Sequence, residues 1–130
     1  MKSVYALCLA TFFYVHNTAY GNENALGLGS VNCSQYNNIV ANDPRAEVMF
    51  FGWVQGWMAG LNLRDSEAKR PTLNLYPDGF SLDRQKKVIQ EYCSRNSNSE
   101  RTIGVGAALL YTLMRAQQGL DAPQQSERKR

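Results

Sequence analysis

The chain is 130 residues long and carries 14 lysines and arginines against 11 aspartates and glutamates, a formal net charge of +3. This length suits one small domain. The basic residues are interspersed with acidic ones, except at the C-terminus, whereas a nucleic-acid-binding protein concentrates them on one face. The composition therefore predicts no nucleic-acid partner.

Residues 1–21 have the pattern of a secretory signal peptide. Lys2 precedes a mostly apolar run from Val4 to Val15, and Ala19 and Gly21 supply small residues at the positions that signal peptidase requires. The apolar run is too short to cross a bilayer. We expect an exported, periplasmic protein whose mature chain begins at residue 22.

The cysteines of the mature chain predict a disulfide. Loss of the signal peptide removes His16, the only histidine, together with Cys8, and leaves Cys33 and Cys93. An even pair of cysteines in an exported protein favours a disulfide. Two free thiols and a metal site are the alternatives, but two cysteines without a histidine are a poor ligand set. We expect no metal and no other cofactor.

The first half of the mature chain predicts two helices. Residues 22–32 are rich in Gly and Asn and are expected to be extended or irregular, and residues 34–40 form a short helix. Asp43 and Pro44 then mark the start of a long helix that runs to about Leu63. A polar segment with turn signals follows over residues 64–80, which predicts one long loop.

Two further helices are predicted in the second half. One begins at Ser81, and a capping box of Ser97 and Glu100 starts another that runs from about residue 98 to residue 118. The sequence thus predicts an all-α fold, a small disulfide-linked helical bundle of about four helices, in residues 22–118. Residues 119–130 are expected to be a disordered basic tail. The inward positions predicted for these two helices are Leu82, Gln85, Val88, Ile89, Tyr92 and Cys93, then Ile103, Gly106, Ala107, Leu110, Leu113 and Met114.

The long helix contains the stretch FFGWVQGWMAGL, in which glycines recur at every fourth position. Its unbroken apolar part is short of the roughly 20 residues that span a bilayer. We therefore expect a central helix of a soluble domain, with the glycines contacting another helix. The predicted packing residues are Gly52, Trp53, Gly56, Trp57 and Gly60, on an inward face with Ala46, Met49, Phe50 and Leu61.

The opposite strip of this helix is predicted to face water. It carries Glu47, Gln55 and Asn62, and also the apolar Phe51 and Met58. Apolar side chains on a polar strip suit a dimer contact or a partner site, although the 64–80 loop would equally cover them. The candidate partner-binding residues are Phe51, Met58, Asn62, Tyr76 and Asp78.

The sequence predicts no enzyme. A mature chain without histidine cannot build a Ser/His/Asp or Cys/His mechanism, and it has no phosphate-binding loop or zinc-protease motif. Asp65 with Glu67, or Asp78 with Asp83, are acid pairs of the kind that glycosidases use. A domain of this size leaves little room for a sugar cleft.

The order of motifs resembles two groups of exported proteins. Cys33-Ser34-x-Tyr36, then the Trp/Gly helix with Asn62, then Tyr92-Cys93 is similar to HdeA-type acid-stress chaperones. The second half, from Gly79 to Met114, also resembles Rap-type immunity proteins. Together the resemblances cover about residues 30–116, and both groups are helical, disulfide-bearing and periplasmic.

Two functions follow from these resemblances. In the first, the chain is an immunity-like protein that binds and neutralises a periplasmic effector. In the second, it is an HdeA-like chaperone that binds unfolding clients after acid dissociates a homodimer. Both imply another protein as partner and a possible homodimer.

Overall fold

The structure is a computed structural model that describes residues 23–121. The predicted signal peptide lies outside the described residues, and so does the predicted tail beyond residue 121. A 3₁₀ segment, Glu23–Ser30, is followed by four α-helices: α1 (Cys33–Asn42), α2 (Ala46–Glu67), α3 (Leu82–Arg95) and α4 (Ile103–Gln117). Over residues 23–121 the chain forms no strand, and the predicted all-α bundle of about four helices is confirmed.

The predicted disulfide is also confirmed. Cys33 and Cys93 are bonded with their Cα atoms 4.7 Å apart, and both are fully buried. They join the first residue of α1 to the last part of α3, beside a two-residue antiparallel bridge between Asn32 and Thr102. The core around them consists of Tyr36, Phe50, Val54, Met58, Leu73, Phe80, Ile89, Ile103, Ala107, Leu110 and Met114.

The helix starts were predicted with mixed success. Ser81 caps α3 as predicted, accepting a hydrogen bond from the backbone NH of Arg84. The predicted capping box of Ser97 and Glu100 is wrong, because α4 begins only at Ile103. The backbone NH of Ile103 donates to the carbonyl of Val31 at 2.9 Å, so the preceding residues are drawn into the Asn32–Thr102 bridge. The segment before α1 was expected to be extended or irregular, and residues 23–30 instead form 3₁₀ turns with a kink at Gly27.

Helix α2 was expected to be a central helix, but one side of it is exposed. The helix is also rotated about its axis from the predicted orientation. Its buried residues are Ala46, Phe50, Val54, Met58 and Asp65. Met49 and Gly60, predicted to face inward, are exposed. The reason is that the polar Gln55 and Asn62 do not face water: Gln55 donates to the Gln85 side chain at 2.7 Å, and Asn62 pairs with the backbone of Leu73.

The glycines of α2 do not pack against another helix of the same chain within the described residues. Gly52, Gly56 and Gly60 are exposed, and a Cβ atom at any of them would meet nothing within 4 Å, so this prediction is wrong. Trp53 and Trp57 do pack on the core as predicted, half-buried.

The close approaches that glycine permits occur elsewhere in the fold. A Cβ atom at Gly29 would lie 2.1 Å from the Trp53 ring, and one at Gly104 would lie 3.1 Å from the carbonyl oxygen of Gly29. A Cβ atom at Gly106 would lie 2.9 Å from the Tyr92 ring. The 3₁₀ segment therefore fits between α2 and α4, and α3 lies close to α4, because these positions lack side chains.

The long loop is shorter than predicted, since α2 continues to Glu67, and side-chain amides fix it. Asn62 donates to the carbonyl of Leu73 and accepts from its NH, at 2.7 and 2.8 Å. Gln118 makes the same pair of bonds with Asn74. The buried Gln85 donates to the carbonyls of Leu75 and Phe80. These bonds satisfy backbone groups that would otherwise lack partners.

Candidate functional site

The structure separates the predicted partner-binding residues. Met58 is fully buried in the core, so its predicted role at a surface is wrong. Phe51 is half-buried and lines a small cleft with Tyr36 and Ile89, and Asn62 holds the loop through Leu73. α2 is oriented by the hydrogen bonds of its two amides, and this orientation turns the strip predicted to be polar toward the protein.

The two loop candidates remain at the surface. Tyr76 is 68% exposed, and Asp78 is exposed. The backbone carbonyl of Asp78 accepts a hydrogen bond from the Gln117 side chain of α4, at 3.4 Å. The Asp78 backbone is thereby joined to Gln117, which lines an open groove between α3 and α4.

This α3/α4 groove is an open concave surface made of two adjoining clefts. Its first part has a volume of about 640 Å³ and its second part about 260 Å³, and the two share Val88, Glu91 and Leu113. The residues that line it are Phe80, Arg84, Lys87, Val88, Glu91, Tyr92, Arg95, Asn96, Leu109, Leu113 and Gln117.

The floor of the groove is apolar. Leu109 and Leu113 of α4 are 41% and 42% exposed, and Val88 of α3 is half-buried beside them. Val105, 45% exposed, continues the same row one helical turn earlier. Leu113 was predicted to face the core, and this was wrong because Leu110 and Met114 fill the core-facing side of α4. The sequence signal that marks this row is the absence of any charged residue in α4 before Arg115.

The rim of the groove is charged and mainly basic. Glu91 lies 3.9 Å from Lys87 and 3.8 Å from Arg95, and surface pairs of this length contribute little. Arg84 lies over the Phe80 ring, 4.7 Å from its centroid, and donates to the carbonyl of Gly79. Among the residues that the structure describes, no carboxylate pairs with Arg84. The rim thus carries three cations, Arg84, Lys87 and Arg95, and one carboxylate, Glu91.

A second apolar surface lies on the outward side of α2. We call it the α2 face and define it as Val48, Met49, Gly52, Gly56, Ala59, Gly60 and Leu63, all of which are exposed. Val48, Met49 and Leu63 are 71%, 65% and 69% exposed. The α2 face and the α3/α4 groove have no residue in common.

A buried carboxylate lies at the end of α2. The Asp65 side chain is 4% exposed and accepts from Arg70 at 2.6 Å, from the Tyr111 hydroxyl at 2.9 Å and from Arg64 at 3.2 Å, with Arg115 at 3.4 Å. The hydrogen bond from Arg70, with those from Tyr111 and Arg64, lowers the pKa of Asp65 to about 2 although burial opposes this. Every neighbour is a donor that holds the carboxylate ionised, which is the environment of a structural ion cluster rather than of a general acid.

The carboxylates of the acid pairs considered for catalysis have different surroundings. Asp65 is buried while Glu67 is exposed, and Asp83 is bound to Lys86 at 2.8 Å on an exposed helix start. In the described part of the chain, no group of three or more His, Cys, Asp or Glu side chains is placed to hold a metal ion.

Two further results bear on the site. Comparison with models of protein families, with curated proteins and with solved structures gave no match to this chain. A search of the helices within residues 23–121 found none with the length and apolarity needed to cross a membrane.

Proposed function

We propose that this protein is an exported, non-catalytic protein-binding domain that binds and neutralises a periplasmic effector, in the manner of an immunity protein. The α3/α4 groove is the observation that carries the proposal. It combines an exposed apolar floor with a charged rim, as protein-binding sites do. The partner is expected to be an enzyme that cleaves peptidoglycan, as the resemblance to Rap-type proteins implies.

The chemistry of the groove defines the segment that it accepts. Leu109 and Leu113, on adjacent turns of α4, and Val88 of α3 present an apolar floor. Arg84, Lys87 and Arg95 exceed the single carboxylate of Glu91 on the rim. A complementary segment therefore carries apolar side chains flanked by aspartate or glutamate, with one carboxylate placed to meet Arg84.

The groove is held in shape before any partner binds. Gly106 allows the Tyr92 ring to lie against α4, and Cys93 ties α3 to α1 through the disulfide. Gln117 and Gln85 attach the loop that closes one end. A pre-formed site loses little conformational entropy on binding, which favours a tight complex.

Affinity capture with groove variants tests the proposal. The oxidised exported chain is used at pH 7 to capture partners from the periplasm of cells that produce candidate effectors. Leu113→Glu places a charge on the apolar floor, and Arg84→Glu reverses the charge of the rim. Leu63→Glu is the matched control, since it makes the same change at an exposed leucine outside the groove. Circular dichroism confirms that each variant is folded.

We expect one partner that binds the wild type and the Leu63→Glu control and is lost with both groove variants. Its cleavage of peptidoglycan should be inhibited by the wild type and restored by Leu113→Glu. A partner that binds all variants equally would overturn the groove as the site. Capture of many unrelated proteins at pH 3, with none at pH 7, would overturn the immunity-like function in favour of the acid-activated chaperone.

A further inference from the structure

The α2 face is an apolar helix surface that residues 23–121 leave unpartnered. Between Glu47 and Arg64 the only polar side chains of α2 are Gln55 and Asn62, and both bind groups within the protein. The outward side of this part of the helix, about 24 Å long at 1.5 Å per residue, therefore presents no polar side chain to water. Three large apolar side chains on it are about two-thirds exposed or more. Such a surface marks a protein contact.

The middle of the α2 face is shaped for another helix. Val48 and Met49 stand at one end and Leu63 at the other, and the glycines between them leave the backbone open, with nothing within 4 Å of where a Cβ atom would lie. Glycine is unfavourable inside a helix relative to alanine, and no contact within the described chain compensates for it here. The backbone of a helix from another chain, lying between these side chains, would supply the contact that compensates for the glycines.

The order of residues on the face is symmetric about Gly56. Gly52 and Gly60 lie four residues before and after it, and Met49 and Leu63 lie seven residues before and after it. Four and seven residues are close to one and two helical turns, so all five positions share one side of the helix. A two-fold axis through Gly56 would place Met49 of one chain opposite Leu63 of another, and Gly52 opposite Gly60. An interface that matches itself under a two-fold axis is the requirement for a symmetric dimer.

Charges beyond the apolar part fix the direction of pairing. Arg45 and Glu67 lie eleven residues before and after Gly56, about three turns each way, and therefore on the same side. Both are exposed, and the salt bridge of the Arg45 side chain within the described residues is with the local Asp43. An antiparallel pair of helices brings Arg45 of each chain to Glu67 of the other. A parallel pair brings like charges together.

We propose that the α2 face binds the α2 face of a second copy of this chain, antiparallel, with the two-fold axis at Gly56. A shallow crossing angle keeps the helix ends within reach of the Arg45 and Glu67 side chains. One helix face buries less than the roughly 1,600 Å² of a standard interface. We therefore expect a dimer with a dissociation constant of about 1 to 100 µM, which forms in the periplasm at high local concentration.

Sedimentation velocity of the oxidised chain from about 1 to 500 µM tests the proposal at pH 7. The wild type should pass from monomer to dimer over this range. Gly56→Leu fills the open centre, where a Cβ atom would meet nothing within 4 Å in its own chain, and it should weaken the dimer at least tenfold while the circular dichroism spectrum is unchanged. Leu113→Glu, in the groove, should leave the dimer intact, so a failure here is distinguishable from a failure of the proposed function. A wild type that stays monomeric at 500 µM, or a dimer that Gly56→Leu leaves unchanged, would overturn the proposal.

Cysteine cross-linking tests the antiparallel direction. Gly56→Cys places two thiols at the two-fold axis, and the chain should link to itself on mild oxidation. Arg45→Cys should not link to itself, because the two copies would lie about 33 Å apart, but it should link to Glu67→Cys when the two variants are mixed. Ser34→Cys, exposed on α1, is the control that should not link. Self-linking of Arg45→Cys would overturn the antiparallel arrangement.

Discussion

Asp65 shows how one residue joins separate parts of the fold. It lies in the last turn of α2, and its partners come from its own helix, from the loop and from α4. Removing the carboxylate would leave the guanidinium groups of Arg64 and Arg70 without this anion, and it would leave Arg115 with the Asp121 carboxylate alone. Breaking a buried ion cluster by removing one member is destabilising.

The pH dependence of stability should report this residue. The pKa of Asp65 is lowered from its usual value near 3.9 to about 2. A lowered pKa contributes stability that is present above about pH 4 and lost as the pH falls toward 2. The urea midpoint of the wild type should therefore exceed that of Asp65→Asn at pH 7 and pH 5. The difference should shrink between pH 4 and pH 2.

A control at an exposed carboxylate separates this effect from general acid denaturation. The Asp83 side chain is 90% exposed, and Asp83→Asn should change the urea midpoint little at any of these pH values. A difference between the wild type and Asp65→Asn that is the same at pH 6 and pH 2 would contradict the role of the ion cluster.

Among the secondary-structure elements, α2 and the 3₁₀ segment should respond oppositely when a glycine is replaced by alanine. The free energy of unfolding should rise for α2 and fall for the 3₁₀ segment. Gly29→Ala would drive a methyl group into the Trp53 ring, at 2.1 Å, and should lower the free energy of unfolding by about 1 to 3 kcal/mol. Gly56→Ala meets open space and removes a poor helix former, so it should raise the free energy of unfolding of the monomer by up to about 1 kcal/mol.

The measurement is urea unfolding at about 0.1 µM, where the proposed dimer is mostly dissociated. Destabilisation by Gly56→Ala at this concentration would mean that α2 is packed against its own chain at Gly56. Tolerance of Gly29→Ala would mean that the 3₁₀ segment does not lie against Trp53.

The sequence predicted the helices better than their orientation. Ser81 correctly predicted the start of α3, because a cap is a local signal. Asp43 and Pro44 predicted that α2 begins nearby, but α2 begins at Ala46, and its N-cap residue is Arg45, which makes no side-chain capping bond. Residues 64–67 were assigned to the loop because they are polar, yet they complete α2. Arg70 and Tyr111 bind Asp65 from elements that the local pattern cannot show.

The site was harder to predict, because it too depends on contacts between residues that are far apart in the sequence. Gln55 and Asn62 indicated a wet strip on α2, whereas Gln85 and the backbone of Leu73 bind them inside the protein. That rotation buried Met58 and exposed the glycines. The groove depends on Leu109 and Leu113, whose exposure follows from how α4 lies against α3, and periodicity alone could not reveal it.

For the whole molecule, the disulfide closes most of the domain. Cys33 and Cys93 are 60 residues apart, and closing a loop of this size stabilises a chain by roughly 4 kcal/mol in the chain-entropy account. The double variant Cys33→Ser and Cys93→Ser should lose about that much free energy of unfolding. Because small domains have little stability to spare, partial unfolding at 37 °C is expected.

Urea unfolding with and without reductant checks this prediction. Reductant should lower the midpoint of the wild type toward that of the double variant, and it should leave the midpoint of the variant unchanged. Equal stability of the two proteins without reductant would contradict a structural role for the bond.

We propose that the domain has two apolar surfaces with two different occupants, an effector in the α3/α4 groove and a second copy on the α2 face. Photo-cross-linking tests it most directly, with benzoylphenylalanine placed at Leu109 in the groove or at Ala59 on the α2 face, in cells that produce the effector. Position 109 should yield a complex of the chain with one other protein, and position 59 should yield a product of twice the mass of the chain. The same product from both positions, or no partner from position 109, would mean that the two surfaces do not have these two separate occupants.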